Sequence, residues 1–65
     1  MEHIYDIFEL MPDGKILWRD TVQGHEEAVS KLKEFAAHSL NEFQLLHLPT
    51  QSLVATVNAK PVPRD

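Results

Sequence analysis

Two aspartates and a histidine are the residues of this chain with most chemical reach. If Asp6 and Asp20 face each other on paired strands and His25 follows at the start of a helix, the three form a divalent-metal or acid–base set. Close carboxylates share a proton or hold a cation, and an imidazole beside them can ligate or relay. The competing reading is plainer: the pair sits at the open end of a hairpin, wetted by solvent and facing the positive end of a helix, or the register is off by one, and the pair has no role. The other histidines, His3, His38 and His47, fall on different elements without the paired spacing of zinc motifs. His3 and His38 read as solvated surface, and His47 as a rim or core position. Trp18 has a ring able to stack a sugar or base, but opposite Phe8 it reads as core. Lys15, Arg19, Lys31 and Lys33 make no basic track interleaved with aromatics. There is no glycine-rich phosphate loop, no Ser/His/Asp arrangement and no cysteine nucleophile. No cofactor is implied.

The elements that must position these groups are organised around residues 24–38. Val29, Leu32, Phe35 and Ala36 recur at helical spacing, with His25 and Ala28 extending the stripe, and Glu26 and Glu27 favour the first turn. On each side lies an apolar run, a proline-led turn and a second apolar run. The order is hairpin, helix, hairpin, which predicts a ββαββ α+β fold: a four-stranded, mostly antiparallel sheet with one helix on one face. Residues 1–59 make the single domain, and residues 60–65, with Pro61 and Pro63, a flexible tail.

In the first hairpin, Pro12 and Asp13 suit the centre of a type I turn, with Gly14 in the left-handed bulge position. Counting outward pairs Leu10 with Ile16, Phe8 with Trp18, Asp6 with Asp20 and Ile4 with Val22. The large Phe8/Trp18 and Leu10/Ile16 pairs mark that face as the one for the helix. The same turn in the second hairpin gives a core face of Phe43, Leu45, Leu53, Ala55 and Val57, and requires Gln51 to take a left-handed backbone. Strand order is 2-1-3-4 or 2-1-4-3, with the first strand central in both.

The uncovered face then collects Tyr5, Ile7, Met11, Leu17, Leu46, Leu48 and Val54, more apolar surface than a small monomer shows. With 65 residues and no cysteine, oligomerisation is the commonest way left to add buried area. The net charge of −4 disfavours nucleic acid and anionic membranes as partners. No stretch has the length and apolarity of a membrane span, and the start lacks a signal-peptide layout, so a cytoplasmic location is expected.

The pattern Tyr5-Asp6-Ile7-Phe8, Pro12-Asp13-Gly14, Trp18-Arg19, Glu26-Glu27-Ala28 and Asn41-Glu42-Phe43 resembles a group of short uncharacterised bacterial proteins with the same hairpin–helix–hairpin plan. The resemblance spans nearly the whole chain. It implies a bacterial, stand-alone domain without an assigned activity, so it transfers no catalytic residue. The residues favour a small non-enzymatic protein-interaction domain that forms a homodimer, or binds another protein, through its exposed sheet face or edge strands. The alternative is the metal or acid–base site of Asp6, Asp20 and His25.

Overall fold

The computed structural model describes residues 3–58; the tail expected at residues 60–65 lies outside them. The elements run β1 Ile4–Leu10, β2 Ile16–Gln23, α1 His25–Ala37, β3 Glu42–His47 and β4 Ser52–Val57. They form one sheet of order β2-β1-β3-β4, antiparallel at every pairing, with the helix packed on one face. Of the two orders open to sequence reasoning, this is the wholly antiparallel one. β1 and β3 are both central, each paired on one side with the other strand of its own hairpin and on the other side with the neighbouring hairpin.

The first turn takes the form its residues dictate; the second does not repeat it, because Ser52 faces His47 around residues 48–51 where the same turn would set it opposite Leu48. The Met11 N–H donates to the Lys15 carbonyl at 2.8 Å, the Gly14 N–H donates to the Met11 carbonyl at 3.0 Å, and Gly14 has φ +90°. In the second hairpin the Gln51 N–H donates to the Leu48 carbonyl at 3.2 Å, and Gln51 has φ +53°. That backbone costs a residue with a Cβ about 1–2 kcal/mol. Gly24 starts the helix at φ +94°; its N–H donates to the His3 carbonyl at 2.8 Å and its carbonyl accepts the Ala28 N–H at 3.0 Å. No side chain caps this end, which leaves Glu26 and Glu27 to complement the dipole.

The face beneath the helix is the opposite of the one that side-chain size indicates. Tyr5 and Ile7 of β1 are buried with Phe43 and Leu45 of β3, Val22 of β2, and Ala28 and Leu32 of the helix; Phe8 is half-buried and Ile16 and Trp18 are exposed. Pairing between β1 and β3 decides this. Ile7 faces Leu45 and Glu9 faces Phe43, and cross-strand partners share a face. The second hairpin's Phe43/Leu45 face lies under the helix, so Tyr5, Ile7 and Glu9 must lie there too.

A bulge in each hairpin completes the rearrangement. Phe8 pairs with Trp18 and Leu10 with Ile16 as the turn dictates, but Ile7 then pairs with Asp20, which leaves Arg19 as an extra residue. Beyond it Asp6 faces Thr21 and Tyr5 faces Val22. A one-residue slip moves every later side chain to the other face, so Val22 enters the core although Ile16 and Trp18 stay outside. In the second hairpin Phe43 pairs with Val57 and Leu45 with Ala55, as expected, before Leu46 pairs with Leu53 and leaves Val54 extra. Leu53, expected in the core, is therefore exposed on the outer face beside Leu46.

Candidate functional site

The Arg19 bulge takes apart the acidic site indicated by the sequence. Asp6 and Ile7 are neighbours on β1, so their side chains point to opposite faces. Asp6 pairs with Thr21 on the outer face, and Asp20 pairs with Ile7, an inner-face position. The Asp20 carboxylate accepts the Thr21 N–H at 2.8 Å. His25 lies on the helix side, its ring edge-on to Tyr5 with centroids 5.9 Å apart. Asp6, Asp20 and His25 thus do not converge. Among the described residues no three histidine, aspartate or glutamate side chains gather as a metal site.

The expected interaction face divides in the same way. Tyr5 and Ile7 are buried under the helix, and Leu17, opposite Glu9, lies on the helix side at the sheet edge. Met11 lies on that side too, its sulfur 3.6 Å from the Asn41 amide nitrogen. Leu48, half-buried just past β3, donates its N–H to the Ile4 carbonyl at 2.9 Å. Leu46 remains on the outer face, and Val54 is exposed at its bulge.

What the outer face presents is a different apolar surface. Ile16 is 61% exposed, Trp18 58% and Leu53 54%, and Phe8, Ile16, Gln44, Leu46 and Leu53 line a shallow depression across all four strands. The polar atoms beside it already have partners. The Trp18 indole N–H lies 3.1 Å from Thr21 Oγ1 and 3.3 Å from Asp6 Oδ1, and Thr21 Oγ1 donates to Asp6 Oδ1 at 2.5 Å. The Gln44 amide donates to Glu42 Oε2 at 3.1 Å. Covering this face would strand few donors, which is the condition for a favourable dry contact.

On the helix side, Glu9 is a carboxylate only 5% exposed in the middle of β1. Its Oε1 accepts from Arg19 Nε at 2.6 Å and lies 2.5 Å from Nη2, while Oε2 accepts from Asn41 Nδ2 at 2.7 Å and Ser39 Oγ at 3.0 Å. Alternation along β2 from Leu17, opposite Glu9, puts Arg19 on this side, and the loop after the helix supplies Ser39 and Asn41. The Asn41 hydrogen bond lowers the Glu9 pKa below the ordinary 4.5; burial opposes it, and Arg19 and Ser39 add to the lowering. Asn58, at φ +58° beyond β4, donates its amide to the carbonyls of Ala36, Ser39 and Asn41 at 3.0–3.3 Å. This ties the same loop to the far edge of the sheet. Both oxygens of Glu9 are occupied, so the cluster is an internal clamp with no position for substrate.

At the other end of the helix side, the histidines that sequence spacing kept apart come together. His3 Nδ1 lies 2.8 Å from His47 Nε2, and His47 Nδ1 lies 2.7 Å from Thr50 Oγ1. Tyr5 touches both His47 and His25, with centroids 5.1 and 5.9 Å away. The antiparallel β1–β3 pairing that sets Tyr5 opposite His47 is what closes a gap of 44 residues. No residue spacing within one element signals it.

No helix among the described residues is long and apolar enough to cross a membrane. No family model matches this chain, and neither a curated protein nor a solved structure is significantly similar to it.

Proposed function

We propose that this chain is a protein-interaction domain whose outer sheet face binds a second copy of itself. One observation carries the reading: Ile16, Trp18 and Leu53, each more than half exposed, sit with Phe8 and Leu46 on a sheet face that no element among the described residues covers. A contiguous apolar surface of this kind marks an interaction site. The partner is a second copy because the centre of the face carries no charge, with Asp6 and Glu42 off to its sides, so a two-fold arrangement stacks apolar groups on apolar groups. Face-to-face packing is favoured over edge pairing. The bulges at Arg19 and Val54 interrupt both edge strands, β2 and β4, and bulged edges template added strands poorly.

The size of the contact sets its strength. Four strands ~4.8 Å apart and about six residues long at ~3.3 Å each give a face of roughly 20 by 20 Å. Two such faces bury less than the ~1,600 Å² of a standard interface, so the dimer is a concentration-dependent one. Sedimentation velocity over a wide concentration series should move from monomer to dimer. Ile16→Lys with Leu53→Lys should hold the protein monomeric while leaving its circular dichroism unchanged. A wild-type chain that stays monomeric at the highest concentration overturns the reading.

A further inference from the structure

The geometry points to a two-histidine chelate, His3 Nδ1 with His47 Nε2, for a divalent transition-metal ion of cis right-angle geometry, Cu²⁺ or Ni²⁺. The two nitrogens lie 2.8 Å apart on rings inclined at 34° with centroids 5.0 Å apart. Metal–nitrogen bonds of ~2.0 Å at a right angle place two ligands ~2.8 Å apart, the spacing found here; a tetrahedral ion requires ~3.3 Å. Centroids 5.0 Å apart set the two nitrogens nearly in line, as a hydrogen bond does, so each ring must turn by about 30° before both lone pairs meet at one ion; the 2.8 Å spacing is then kept for tetragonal Cu²⁺ or Ni²⁺ and must widen for Zn²⁺.

In the tautomer that leaves His47 Nε2 able to accept, His47 carries its proton on Nδ1, toward the Thr50 hydroxyl, and the single proton between the rings is the one on His3 Nδ1. When the ion binds, that proton moves to Nε2 of His3, and both lone pairs tilt off the line joining them toward a common point. His3 is exposed and free to turn. His47 is already oriented, because its second nitrogen is held by the Thr50 hydroxyl at 2.7 Å. A ligating imidazole is characteristically fixed through its other nitrogen in this manner. Imidazole nitrogen is a ligand type that suits these ions, and Cu²⁺ heads the affinity order for such donors. No third histidine, aspartate or glutamate side chain joins the pair among the described residues.

The ion would join the start of β1 to the end of β3, which makes the melting temperature a direct readout. Titrating the whole chain with CuCl₂ and, separately, NiCl₂ should give saturable one-to-one uptake by calorimetry and a melting temperature that climbs with the logarithm of free metal. The ring resonances of both His3 and His47 should broaden together under Cu²⁺, ahead of those of His25 and His38. His47→Gln and His3→Gln should each abolish the one-to-one uptake, and His38→Gln should leave it intact. Broadening confined to His3, or uptake that survives His47→Gln, places the metal on the N-terminal segment alone and overturns the pair. Absence of saturable uptake by the wild-type chain overturns it as well. Because the broadening is read in the unaltered protein, a poorly folding His47→Gln does not remove the test.

Discussion

Glu9 has the most partners of any side chain in the sheet, and its charge state couples the two ends of the helix-side loop to β1. Its pKa is depressed, chiefly by Asn41 and then by Arg19 and Ser39 against the opposing effect of burial. A carboxyl depressed in the folded state binds fewer protons there than in the unfolded chain, so it stabilises the fold above the unfolded value. That stabilisation is lost as pH falls below about 4.5 toward the folded value. Glu9→Gln replaces an acceptor oxygen by an NH₂ that faces the donors of Arg19 or Asn41, at a cost of about 1–3 kcal/mol at neutral pH. Urea unfolding of both proteins across pH should show that difference constant above pH ~5.5 and shrinking below ~4.5, the sign set by linkage. A difference that grows on acidification contradicts the assignment. Glu9 is also why the faces are easily misread. A carboxylate amid Tyr5, Ile7 and Met11 reads as a solvent marker on the strand; the first hairpin's register sets Arg19 on its face, but nothing local announces that Ser39 and Asn41 will meet it. Asn58 is equally silent in sequence, although Asn is the residue best suited, after glycine, to its left-handed backbone.

Among the elements, local chemistry made the helix, its bounds and the first turn with the register next to it legible; in the second hairpin the pairs Phe43–Val57 and Leu45–Ala55 stand, but next to the turn Ser52 faces His47 and not Leu48. Gly14 and Gln51 adopt the left-handed backbone that the Pro-led turns require, and the helix spans His25–Ala37 between Gly24 and His38. The bulges are what sequence reasoning could not see, since Arg19 and Val54 fit a regular strand as well as an irregular one. They shift the alternation in β2 and β4, and with it the places of Val22, Asp20 and Leu53. The consequence can be tested by shortening the chain. Deleting Val54 leaves Leu46 opposite Leu53 and Leu45 opposite Ala55 in an unbroken ladder, with every flanking side chain on its present face. Deleting Thr56 instead transfers Val57 from the core side to the outer side. The first deletion should keep the native fold by heteronuclear NMR and, with a straight unprotected edge, aggregate more readily. The second should lose cooperative unfolding. Equal damage from both would mean that β4 is regular.

For the whole molecule the deciding quantity is buried area. A chain of this length hides about 60% of its extended surface on folding, and here a single helix serves a four-stranded sheet whose outer side holds Ile16, Trp18 and Leu53 in solvent. If a second copy supplies the missing cover, folding and association are linked, and stability must depend on protein concentration. With an unfolding entropy of ~2.1 cal/mol/K per residue, two chains melting together shift by about 5 °C for each tenfold change in concentration while the dimer is the folded species. Trp18 reports the same event optically. Its indole N–H is held by Thr21 and Asp6, so the ring should stay in place while solvent leaves its face. Its emission should move to shorter wavelength over the concentration range in which the melting temperature rises, and acrylamide quenching should fall in step. Ile16→Lys should flatten both dependences at the low-concentration values, because it blocks the contact without reaching the core beneath the helix. A melting temperature that rises without any change at Trp18 would locate the contact elsewhere, on the bulged edges or the helix. Constant values of both would mean that the outer face remains in water and that the seven-residue core alone sustains the fold.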